Sequence, residues 1–185
     1  MEDIHHNGPT EVIFEESRLM LFMVIIIVPF YLAGDLIFDL VWRHREPLIQ
    51  MDLPFWTKFL IVLAAIPVHE LIHGLIFGLY APNGFRSVRF GFSLSMGSPY
   101  CHCSDAVKVK HYRRAGIAPF IILGILPYLF SVFTGVSWIK VFGLLLSIGG
   151  FGDVLVWIKL LKYDKNLLIR DHPEKMGFII VRNSL

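Results

Sequence analysis

The sequence predicts an α-helical integral membrane protein of about four transmembrane helices, with a small β-hairpin or sheet in the loop between the second and third. Three observations carry this reading. Of 185 residues, 55% are hydrophobic and only 17% charged, and the mean hydropathy is +0.62, too apolar for an ordinary soluble domain. The apolar residues gather into four runs, each long enough or nearly so for a hydrocarbon core that takes about 20 helical residues. Between the second and third runs the apolar spacing changes to one residue in two, the period of a strand.

The chain opens on polar residues, with Glu2, Asp3, Glu11, Glu15 and Glu16 against Arg18 alone. A cleavable signal peptide begins with basic residues, so the first apolar run is expected to stay in the mature chain. That run covers residues 19–42, with its most apolar part at 19–33, and is interrupted by Pro29, Gly34, Asp35 and Asp39. Residues 43–58 form a short polar connection, in which Phe55 and Trp56 read as an interfacial belt. The second span covers residues 59–80, and Ala81-Pro82-Asn83-Gly84 ends it with strong breaker chemistry.

From residue 85 to 109, Arg86, Val88, Phe90, Phe92 and Leu94 alternate with small or polar residues. Gly97-Ser98-Pro99 turns the chain, and residues 100–109 return as a second strand at the membrane surface. The third span covers residues 116–133, through Pro119 and Pro127. The fourth covers 138–161 and contains Gly149-Gly150-Phe151-Gly152-Asp153, a cluster that weakens helix locally and lets backbones approach. Residues 162–185 read as a polar, soluble tail, and the whole chain as one multi-pass domain.

Four spans put both termini on one side. Arg43, Arg45, Lys58 and Lys140 are the basic residues of the opposite side; the other thirteen of the 17 Lys and Arg lie with the termini and the 81–115 loop. That excess predicts cytoplasmic termini. A net charge of +2 gives no reason to expect a nucleic acid partner. Lys108, Lys110, Arg113 and Arg114 read as a membrane-flanking run that meets the headgroups of the lipid bilayer. His5 and His6 lie in a flexible start and receive no role.

The second span carries Pro67-Val68-His69-Glu70-Leu71-Ile72-His73-Gly74. On a helix, residues four apart share a face, so the imidazoles of His69 and His73 can grip one ion together, with Glu70 beside it. Two neutral nitrogens leave zinc unsaturated. A third protein ligand and a water complete the tetrahedron of a hydrolytic site, with Glu70 taking the water's proton. The alternative is a packed or pore-facing histidine pair, which is costly because three ionisable residues then sit idle in a hydrocarbon-like helix.

Depth points to the third ligand. At about 1.5 Å per residue, the midpoint of His69 and His73 is about 13 Å from the inner end of its helix, and Asp153 is about 12 Å from the inner end of the fourth. Asp35, at about 24 Å, sits toward the outer face and reads as a packing or gating residue. For Asp153 the competing reading is an ion pair with Lys159. Cys101 and Cys103 flank His102, but strand alternation puts the thiols on one face and the imidazole on the other, so they read as reduced structural thiols. His102, Asp105 and His111 are expected on the loop surface.

With these residues assembled, the sequence resembles the site-2 protease group of intramembrane zinc metalloproteases, and more closely small bacterial membrane families of zincin-type peptidases. The resemblance rests on His69, Glu70 and His73 in one span and Asp153 in a later one, with a strand-like loop between, and covers residues 55–162. That group usually carries Asp-Gly with upstream Asn and Pro in its last catalytic helix, where this chain has Gly152-Asp153-Val154. The resemblance implies a Zn2+-dependent metalloendopeptidase in a bacterial cell membrane. Its metal ligands are His69, His73 and Asp153 and its general base is Glu70. The substrate is a membrane protein or peptide that pairs with an edge strand in the 85–109 region. Two other functions compete: a catalytically silent membrane adaptor, which an intact Glu70 disfavours, and a metal transporter, which the single site and small helix count disfavour.

Overall fold

The computed structural model describes residues 10–13, 16–94, 97–172 and 177–181; His5, His6, Glu2, Asp3 and Glu15 lie outside them. Helix α1 is Glu16–Trp42 and α2 is Phe55–Tyr80. A third long helix runs from Val109 to Thr134. It is built from α3 (Val109–Pro119), a π-helical stretch (Phe120–Ile125) and α4 (Leu126–Thr134). Helices α5 (Ser137–Gly149) and α6 (Phe151–Leu160) follow, bent by 49° at the Gly149-Gly150 break. Three helices, Ile25–Trp42 within α1, Phe55–Tyr80 and Val109–Thr134, are long and apolar enough to cross a bilayer; α5 and α6 reach that length only as a pair.

The helix ends differ from the expected ones for local reasons. Phe55 and Trp56 occupy the first turn of α2, where they pack with Phe59, and Pro54 stands just before it. The third long helix starts at Val109, seven residues early. Its first N–H groups, which no helical carbonyl can serve, donate to residues further on: Val109 to Leu167 O at 2.9 Å and Lys110 to Lys165 O at 3.0 Å. The basic run is thereby drawn into the helix. Arg113 turns inward and donates from Nη2 to the Leu160 and Tyr163 carbonyls at 2.5 and 2.9 Å, satisfying the open end of α6. Arg114 lies over the Tyr80 ring and donates to its hydroxyl at 3.1 Å.

Glycines set the helix contacts. A Cβ on Gly143 would fall 2.5 Å from the Tyr128 nitrogen and 2.8 Å from the Gly124 carbonyl oxygen, and one on Gly124 would fall 2.9 Å from the Ser147 backbone. Helix α5 therefore touches its neighbour backbone to backbone, the arrangement small residues permit in membranes.

Strands β2 (Val88–Ser93) and β3 (Ser98–Cys103) form an antiparallel hairpin in which Phe90 faces Cys101. The return strand stops at Cys103, short of residue 109. Asp105 turns the chain there by accepting from Ser87 Oγ at 2.5 Å and from Asn83 N and Nδ2 at 3.0 and 3.1 Å. The Ser87 hydroxyl, followed by the Asn83 N–H, holds the Asp105 carboxyl below the usual carboxylate range. The hairpin also reaches deeper than a surface loop. A Cβ on Gly74 would fall 2.3 Å from the Phe90 ring, and one on Gly78 would fall 2.2 Å from Phe85. Gly74 lies six residues before Tyr80, so the hairpin descends about 9 Å along α2.

A second sheet has the order β1-β6-β5-β4. It joins β1 (Thr10–Ile13), β4 (Val107–Lys108), β5 (Leu168–Asp171) and β6 (Gly177–Val181). The stretch read as a soluble tail is thus folded in. Ile169, Phe178 and Ile180 are buried with Val107, Val109, Tyr112 and Leu160 in the main core. Strand β1 leads into α1, β4 into α3, and β5 follows α6, so these three helix ends lie at one end of the bundle.

The backbone contact at Gly143 leads to a stability prediction. Gly143→Ala should lower the thermal midpoint in detergent, by the roughly 1–3 kcal/mol that overpacking costs. Gly116→Ala, where a Cβ meets nothing within 4 Å, should leave the midpoint unchanged or raise it, since Ala gains up to about 1 kcal/mol over Gly in a helix.

Candidate metal centre

Helix α2 projects His69 and His73 from one face, and the first turn of α6 brings Asp153 to meet them. His69 Nε2 lies 3.0 Å from Asp153 Oδ2, His73 Nε2 lies 3.4 Å from the same oxygen, and the two imidazole nitrogens are 3.1 Å apart. Among the described residues, these three are the one group of His, Cys, Asp and Glu whose ligand atoms converge in this way. A tetrahedral zinc site with bonds near 2.0–2.1 Å separates its donors by about 3.3 Å. The observed triangle has the dimensions of one face of that tetrahedron.

The tautomer of His73 suits a ligand. His73 is buried, and its Nδ1–H donates to the Ala115 carbonyl at 2.8 Å. The lone pair is thus left on Nε2, facing His69 and Asp153. That carbonyl is available because of the sequence four residues on: Pro119 has no N–H to complete the helical hydrogen bond with Ala115. Pro119 therefore frees the acceptor that orients His73. A proline inside a span, four residues after a position facing the motif, is the sequence signal for it, and only the packing of α3 on α2 shows that the freed carbonyl meets this imidazole.

The bend between α5 and α6 brings Asp153 into place. Gly150 approaches Phe120 so closely that a Cβ would fall 3.2 Å from the Phe120 Cβ, and Phe151 packs edge-on against Phe30 of α1 at 5.0 Å. Asp153 faces the histidines, and the competing pair with Lys159 is not the contact it makes. Glu70, next to His69 on α2, is approached by the Cys101 backbone N–H of β3.

The remaining candidates sit apart from this triangle. Asp35 pairs with Lys140 of α5 at 2.5 Å, and Lys140 also lies over the Phe38 ring at 4.8 Å. His111 stacks on Tyr80 at 3.9 Å. Both cysteines are free. Burial first, and then the charges of Asp171 and Glu70, push the Cys101 thiol up to about 12; burial likewise raises Cys103 to about 11. Among the described residues neither thiol belongs to a converging group of metal donors. His102 Nδ1 lies 3.6 Å from Asp171 Oδ2, a partner in the folded tail and not on the loop surface.

No match to the chain was found among curated proteins or among solved structures. Residues 62–168, more than half of the sequence, match the model of a family described as "Putative zincin peptidase". That stretch contains both histidines, Glu70 and Asp153. A zincin family implies Zn2+ as cofactor, and the donor triangle fits it. The chain belongs to this family of zincin peptidases.

Proposed function

We propose that this chain is an intramembrane zinc metallopeptidase of the site-2 protease type. His69, His73 and Asp153 hold the metal, and Glu70 is the general base in hydrolysis of a peptide bond within or beside a transmembrane segment. The observation that carries the reading is the triangle of donor atoms 3.0–3.4 Å apart on apolar helices, with a fourth ionisable group, Glu70, one residue from the first of them. When bound, zinc supplies Lewis acidity toward a carbonyl and lowers the pKa of a water to about 7.

The chain's own residues do the rest. The imidazoles, fixed by α2 and by the Ala115 carbonyl, present neutral nitrogens, and Asp153 adds a negative oxygen. Glu70 accepts the proton of the attacking water and delivers it to the leaving amine. A substrate helix shields its carbonyls by its own hydrogen bonds, so it must unwind before attack. Strand β2 of the hairpin beside Glu70 is the element with which an extended segment pairs. Four crossings, with both termini cytoplasmic, are supported by the sheet that gathers β1, β4 and β5 at one end of the bundle and by the basic residues there.

Glu70→Gln should keep zinc stoichiometry and lose the roughly 10²-fold to 10⁴-fold in hydrolysis that a positioned acid–base group contributes. Asp153→Asn should lose zinc and activity together. Zinc content and cleavage of a membrane peptide, measured side by side, decide this, and wild-type cleavage by Glu70→Gln would refute the mechanism. Pro119→Ala restores an N–H that competes for the Ala115 carbonyl, so zinc affinity in a chelator competition should weaken by about 10–100-fold; an unchanged affinity would show that His73 does not depend on that bond. Reporter fusions should place residues 43–58 outside and residue 100 inside, and an exterior signal at residue 100 would overturn the topology.

A further inference from the structure

The outer edge of β3 is closed by carboxylates. In the hairpin register, Ser104 N donates to Ser87 O, which places the even-numbered donors of β3 toward β2 and leaves positions 99, 101 and 103 facing outward. Pro99 has no N–H. The Cys101 N–H is directed toward the Glu70 carboxyl, and the Cys103 N–H donates to Asp171 Oδ2 at 2.7 Å. Of two adjacent outward donors of one strand, one thus faces the site glutamate and the other is held by a residue of the folded tail.

Asp171 is itself held. It accepts from the Tyr112 hydroxyl, its Oδ2 lies 3.6 Å from His102 Nδ1, and pairing of β5 with β6 fixes it opposite Phe178, which is fully buried. Tyr112 stands one turn before Ala115, the acceptor for His73. The Asp171 carboxylate therefore joins β3, α3 and the C-terminal sheet.

We propose that Asp171, which lies beyond the stretch matched by the family, is a positioning residue for the reaction. By anchoring the Cys103 N–H it sets the register and height of β3, so that the next outward N–H, at Cys101, meets Glu70 and aims its carboxylate. The inference rests on the reading of Glu70 as general base, but the clamp itself has a readout that does not need catalysis. Cys101 and Cys103 are the only thiols in the chain, and Cys103 is 1% exposed, so thiol modification reports on this strand alone.

The test compares Asp171→Leu, which fills similar space without an acceptor, with Asp171→Asn, which keeps one. All are made in the full-length chain, loaded with zinc in detergent. Asp171→Leu should keep zinc, label Cys103 at least tenfold faster with a maleimide, and lose at least tenfold in kcat with KM unchanged. Asp171→Asn should stay within about threefold of wild type in both readouts. Wild-type labelling and kcat in Asp171→Leu would overturn the proposal. Equal losses in both variants would overturn it too, because charge rather than an acceptor would then be at work. Loss of zinc in Asp171→Leu would make Asp171 a general folding residue instead. If the wild-type protein cleaves no peptide, the functional reading fails on its own, while the labelling comparison still decides whether Asp171 clamps β3.

Discussion

The hydrogen bond from His73 to the Ala115 carbonyl is the contact on which the rest of the centre depends. It is buried and 2.8 Å long, and it links the motif helix α2 to α3. In a low-dielectric interior an unpaired imidazole N–H or carbonyl is expensive. A proline-freed carbonyl and a buried histidine whose Nε2 faces the donor triangle solve each other's problem. The pairing fixes both the ring plane and the tautomer, so Nε2 is committed to the donor triangle before any ion binds.

The third donor depends on a different device. An uninterrupted helix through residues 137–160 would be straight, whereas Gly149-Gly150 allows a 49° bend and a new helix start. Asp153 then sits in the first turn of α6, where the positive end of the helix dipole favours a carboxylate. Close contacts at Gly124, Gly143 and Gly150 hold the bent pair against the third long helix. The same residue type thus weakens the helix where it must break and narrows it where it must pack.

The sheet at the other end ties the helices together by their ends. Strands from before α1, before α3 and after α6 hydrogen-bond in one layer, and the segment that precedes β5 caps α3 through the Leu167 and Lys165 carbonyls. Arg113, drawn inward to the end of α6, contributes its positive charge to a cap. Long-range contacts of this kind carry the tail, through Asp171, to the strand beside Glu70.

Much of this was legible in the sequence, because its signals are local. Run length and apolarity placed the helical stretches, the i, i+4 spacing put His69 and His73 on one face, and counting rise per residue brought Asp153 to their level. The depth of the hairpin, the early start of α3 and the folded tail were not legible. Short strands such as β4, with two residues, or Phe178-Ile179-Ile180 on β6, carry no period to read and exist only because distant segments pair with them. What the sequence by itself determined is which residues share a helix face and a depth, since both follow from the fixed geometry of one helix. The tertiary structure alone decided which carbonyl orients His73, which strand faces Glu70 and which tail residue closes β3. Those partners lie up to about seventy residues apart along the chain, and backbone hydrogen-bonding groups are the same for every residue type but proline, so beyond the carbonyl that Pro119 frees, the order of side chains does not mark them in advance.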